Sequence, residues 1–199
     1  MYDMNEYEYR EIEWERWKII LFPSPQKQQT LRNNLFIVWK GDDDLKWDMS
    51  ELHLKQELSC TEVHIEGEDV LFTLSDGSKF RIKFFKLDIR ISCIYDPYRS
   101  ENGIYDKNQH QYTEIQAGDK TVLYFTESYL DRNLFILDAE GKVIWDMGQP
   151  TPDGFTNCCK ADVRDGKLYY TAGHLAVYLN TIMELDTFKT IFRNSAISF

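Results

Sequence analysis

The chain has 199 residues, of which 43% are hydrophobic and 15% aromatic, with only 10 Gly and 5 Pro, a composition that excludes a disordered or low-complexity protein. A formal charge of −10 argues against recognition of a phosphate backbone, which needs clustered Lys and Arg, and fits a basic partner instead. No apolar run reaches membrane-spanning length and no basic stretch with an apolar run opens the chain, so the expectation is a cytoplasmic protein with no membrane or nucleic-acid partner, monomeric when free.

Along the chain, short apolar and aromatic runs alternate with turn residues, which is the strand signal. The first such unit, residues 9–50, carries Ile19 to Phe22, a long polar stretch from Pro23 to Asn33, then Asn34-Leu35-Phe36-Ile37 and Trp47-Asp48-Met49. Asp42-Asp43-Asp44 falls in a turn between two of its strands. Lys46 takes the next alternate position where a calcium loop would place an oxygen ligand, so a solvated acidic turn is expected rather than a metal site. Ser50 to Leu58 reads as a turn of helix.

The second unit, residues 60–95, has a tight connection at Gly67 to Asp69 and ends in Leu87-Asp88 and the long segment Asp96 to Gln111. The third, residues 112–148, shows the pattern best. Its predicted strands are Tyr112 to Gln116, Val122 to Phe125, Leu134 to Asp138 and Val143 to Met147, with Glu140-Gly141 as a hairpin turn. The fourth, residues 158–193, repeats a Gly-Lys turn at Gly166-Lys167 and closes with Leu185-Asp186. Between units three and four, Gly148 to Asn157 contains two prolines and cannot be helical throughout.

The units repeat one another. Tyr9-Arg10-Glu11-Ile12 answers Tyr112-Thr113-Glu114-Ile115 at an offset of 103, and from Trp47/Trp145 onward the offset holds at 98 through Cys60/Cys158, Thr73/Thr171 and Leu87/Leu185. Within the second half, Asp138 and Asp186 sit 48 residues apart, so the minimal unit is about that long and occurs four times. Four four-stranded units of this size predict an all-β chain forming one four-bladed β-propeller over residues 1–199, with two β-sandwich-like lobes as the alternative.

The run Leu134-Phe135-Ile136-Leu137-Asp138-Ala139-Glu140-Gly141-Lys142-Val143-Ile144-Trp145, with its Asp and Gly-Lys turn followed by Trp, resembles blades of the quinoprotein-like propeller superfamily. The resemblance is clear in unit three, partial in units one and four and poor in unit two. It implies a fold, and brings no cofactor-binding residues.

Chemistry-bearing motifs are sparse. Cys60, Cys93, Cys158 and Cys159 have no Cys-x-x-Cys spacing and are expected to be free thiols. The four histidines, His53, His64, His110 and His174, lack the one-turn spacing of a helical metal site, and no Gly-x-Ser-x-Gly elbow is present. Trp39, Trp47 and Trp145 sit in strand patterns and read as core. No cofactor, no metal and no enzymatic activity are expected.

Loop length points elsewhere. In an up-and-down sheet alternate connections share one end, and the long segments, Pro23–Asn33, Ser50–Ser59, Asp96–Gln111, Thr126–Arg132 and Gly148–Asn157, all fall at that end. Binding residues concentrate on long loops held by a rigid scaffold. The candidate partner-binding residues are therefore Tyr98, Glu101, Tyr105, Asp106, Tyr129, Asp131, Asp153 and Phe155, aromatic and acidic groups suited to gripping a basic protein such as a toxin domain. The alternative is a sugar or a cofactor held in a central channel.

Overall fold

The computed structural model describes residues 8–23, 33–41, 44–54, 58–84, 89–148, 157–174 and 177–197. Sixteen strands form four separate four-stranded sheets, each an antiparallel meander in chain order. The strand content and order are those of propeller blades. The chain divides into two compact units, Met1–Pro97 and Tyr98–Phe199, with two sheets in each.

In the first unit, β1 (Arg10–Trp14), β2 (Trp17–Leu21), β3 (Leu35–Trp39) and β4 (Leu45–Asp48) make the first sheet. The second comprises β5 (Cys60–Glu66), β6 (Asp69–Leu74), β7 (Lys79–Phe84) and β8 (Ile89–Tyr95). Apolar runs in β2 and β3 bury both faces of the first sheet, as continuous hydrophobic strands require. One face, with Trp17 and Trp47, meets the second sheet at Phe84 and Phe72, the ring centroids lying 5.1 and 6.0 Å apart. The other carries the buried cluster Ile20, Phe22, Phe36 and Val38. By contrast β6 alternates, with Val70, Phe72 and Leu74 buried and the intervening Asp69, Leu71 and Thr73 half-buried.

In the second unit, the third sheet holds β9 (Tyr112–Ala117), β10 (Lys120–Phe125), β11 (Leu134–Leu137) and β12 (Val143–Asp146). The fourth holds β13 (Cys158–Arg164), β14 (Lys167–His174), β15 (Val177–Glu184) and β16 (Thr190–Ile197). The core between them joins Val122, Tyr124, Leu134 and Ile136 to Leu168, Tyr170, Ala172 and Met183, with Trp145 packed against it. Each fully buried Val, Leu, Ile or Met side chain among them is worth about 2 kcal/mol relative to exposure.

The turns follow the sequence expectation closely. Between β11 and β12, Gly141 adopts φ 79°, and the Asp138 carboxylate accepts the Glu140 and Lys142 N–H groups at 3.1 and 2.8 Å. That is the physical content of the Asp and Gly-Lys pattern: a carboxylate closes the turn and a glycine supplies the left-handed step. The helix turn expected over Ser50–Leu58 is shorter and starts earlier, a 3-10 turn at Met49–Leu52. Asp48 caps it through Ser50 N–H at 2.7 Å, and His53 ends it at φ 50°. Of the acidic turn only Asp44 lies among the described residues, ion-paired with Lys46 at 2.5 Å.

A side-chain clamp ties the two sheets within each unit. Asn34, fully buried before β3, donates to the Phe22 and Cys60 carbonyls at 2.9 and 2.8 Å and accepts the Cys60 N–H at 2.7 Å. Asn133, fully buried before β11, donates to the Phe125 and Cys158 carbonyls at 2.7 and 2.9 Å and accepts the Cys158 N–H at 2.7 Å. In each case one amide closes the loop at the end of its own sheet and starts the first strand of the next. All four cysteines are free, with Cys60 and Cys158 buried.

Candidate functional site

The long segment between β8 and β9 is described throughout, and it builds its own interior. It contains two successive turns. In the first, Gly103 N–H donates to the Ser100 carbonyl at 2.9 Å, and Ser100 N–H donates to that of Ile104 at 2.8 Å. In the second, the Asp106 carbonyl accepts from the Gln109 and His110 N–H groups, both at 3.0 Å, while the Asp106 carboxylate accepts Asn108 N–H at 2.8 Å. Arg99 Nε donates to the Gly103 carbonyl at 2.6 Å and its guanidinium lies 4.6 Å from the Tyr105 ring centroid.

Tyr105 is the center of this loop. It is 2% exposed, its ring lies 5.3 Å from that of His110 and 5.4 Å from that of Phe125, and its hydroxyl donates to the Asp131 carbonyl at 2.5 Å. Phe125 ends β10, so the loop folds over the face of the third sheet opposite its core with the fourth. The loop's far end is fixed by Glu127, whose buried carboxylate accepts Gln111 N–H at 2.6 Å and lies 3.6 Å from His110 Nδ1. Thr126 N–H in turn donates to the Gln111 carbonyl at 3.0 Å. The Asn157 side chain also reaches this end, donating to the Ser128 carbonyl.

Three long segments expected to share one end therefore meet in the second unit: Asp96–Gln111, Thr126–Arg132 and the last residue of Gly148–Asn157. Among the candidate residues, Glu101 is exposed at the tip of the first turn, and Tyr98, Asp106 and Asp131 are half-buried. Tyr105 and Tyr129, at 2% and 4% exposure, are buried rather than exposed anchors, and the Tyr105 ring is enclosed by His110 and Phe125. Asp153 and Phe155 lie outside the described residues. Sequence reasoning missed His110 and Glu127 as loop supports. Glu127 lies two residues after β10 and His110 two residues before β9, and no spacing rule links the two.

No family model matches this chain, and no curated protein matches it. Solved β-propellers resemble it in fold alone. AztD from Citrobacter koseri is 13% identical with a TM-score of 0.28, over 96% of this chain and 60% of that one. The Dos1 propeller is 7% identical with a TM-score of 0.35, over 92% and 45%. BamB from Moraxella catarrhalis is 15% identical with a TM-score of 0.28, over 89% and 49%. The chain thus spans less than two thirds of each of these structures, and no functional residue transfers from them.

Proposed function

We propose that this chain is a non-enzymatic, cytoplasmic binding module that captures a basic protein through the loop end of its second unit. In its most concrete form it is an immunity or inhibitor protein that neutralizes a basic toxin such as a nuclease. The observation that carries the reading is the construction of the loop from Tyr98 to Gln111. Its Tyr105 ring and Arg99 guanidinium are spent inward, on Phe125 and on the Gly103 carbonyl, while Glu101 is held outward on a hydrogen-bonded turn. A loop organized before binding loses little freedom on association, so more of the contact energy appears as affinity.

A formal charge of −10 supports the same reading, since a net acidic surface attracts a basic partner at long range and raises its association rate. Tyr98, half-buried at the loop's start, supplies an aromatic edge beside the carboxylates. Co-purification from the native source with mass spectrometry tests the proposal: a strongly basic protein is the expected partner, and a stoichiometric acidic or neutral one contradicts it.

A further inference from the structure

The first unit carries a groove that the loop-end reading does not use. It has a volume of about 450 Å³ and opens where the β1–β2 turn faces the β5–β6 turn. Its apolar wall is a step of three rings: Phe84 lies 4.8 Å from Trp14 and 5.1 Å from Trp17, with Trp14 and Phe84 both partly exposed. Its polar wall mixes signs, with Glu15, Glu68 and Asp69 against Arg16 and Lys83.

These polar groups are not equivalent. Asp69 is held in place by Arg81 at 3.1 Å and Lys83 at 4.0 Å, and the Arg16 guanidinium lies 5.4 Å from the Trp39 ring centroid. Glu15 and Glu68 are exposed and form no ion pair among the described residues. The β1–β2 turn takes the same left-handed step as its counterparts. The corresponding turns between β5 and β6, β9 and β10, and β13 and β14 each place a glycine at positive φ, at Gly67, Gly118 and Gly166. At the groove, Glu15 occupies φ 48°, as Asp165 does at φ 49° in the β13–β14 turn, the left-handed step that a two-residue hairpin turn uses.

From this juxtaposition of an aromatic step with oriented groups of both signs, we infer that the groove is a binding site for a neutral saccharide of one or two pyranose rings. A simple cation would meet Arg16 and Lys83, and an anion would meet three carboxylates. A neutral polyol needs both acceptors and donors around its rim and an aromatic surface under its apolar C–H face. Trp14 and Phe84 form that surface, Glu15 and Glu68 accept hydroxyl protons, and Lys83 and Arg16 donate to hydroxyl oxygens. The site lies in the first unit and stands independently of a protein partner at the second.

The test is calorimetric titration of the whole chain with methyl pyranosides of glucose, galactose, mannose and N-acetylglucosamine, and with maltose, cellobiose and lactose, at millimolar concentrations. At least one of these should bind saturably. Trp14→Ala should weaken it by about tenfold or more, and Glu68→Gln, a change at an exposed turn that leaves the fold intact, should weaken it severalfold. No binding across the panel, equal binding by both variants, or a preference for tetramethylammonium or glucuronate over every neutral sugar would overturn the assignment.

Discussion

At the scale of single residues, burial decides roles that sequence leaves open. Tyr105 sits in a polar loop and reads as an exposed anchor, yet its ring packs on Phe125 and its hydroxyl reaches the Asp131 carbonyl. Tyr105→Ala should therefore lower stability by about 3 kcal/mol, as for other buried aromatics, while Tyr105→Phe should cost about 1 kcal/mol for the lost hydrogen bond. Urea unfolding monitored by tryptophan emission separates the two; equal stability of both variants and the parent would mean that the ring is not enclosed. The Cys60 thiol is the other residue whose surroundings matter. Burial pushes it up from 9.0 to about 12, and the same cause raises the Cys158 thiol and the Tyr124 phenol. An acid whose folded pKa is raised favors folding fully below its unfolded pKa and loses that contribution as pH rises through the folded value. The melting temperature should accordingly fall between about pH 9 and pH 12. The fall should be shallower in Cys60→Ala, and an identical slope in that variant would remove Cys60 from the account.

At the scale of elements, strands and turns were legible and the ties between sheets were not. Apolar runs such as Ile19 to Phe22 and Val122 to Phe125, bounded by turn residues, mark strands directly, and the third sheet follows its sequence-read boundaries within two residues. The repeat register pairs Cys60 with Cys158, but nothing along the chain says that a buried asparagine, Asn34 or Asn133, bonds each cysteine across two sheets. That information resides in tertiary proximity. Asn133→Ala should leave the Cys158 N–H without its buried acceptor and cost about 3 kcal/mol or more, with Asn34→Ala costing a similar amount in its own unit. Denaturant midpoints measure this; losses under about 1 kcal/mol in both variants would show that water replaces the clamp. The groove escaped the sequence reading for a related reason. Trp14, Trp17 and Phe84 lie at strand ends, and attention to loop length favors the opposite end of the sheets.

At the scale of the whole molecule, charge and loop architecture carry the functional account. The acidic excess is spread over the sequence, 14 basic against 19 acidic residues up to Arg99 and 9 against 14 thereafter, so long-range attraction belongs to the chain as a whole while orientation falls to the organized loop. An exposed rim charge acts mainly on the rate of encounter, and a desolvated anchor acts mainly on the rate of separation. Glu101, outward on its turn, belongs to the first kind. The most direct measurement is the association rate of the co-purified basic protein with the parent chain and with Glu101→Lys across a series of salt concentrations. The account predicts that Glu101→Lys slows association severalfold at low salt, flattens the salt dependence and leaves the dissociation rate and melting temperature nearly unchanged. Identical association rates and salt slopes for the two proteins would contradict binding at this loop.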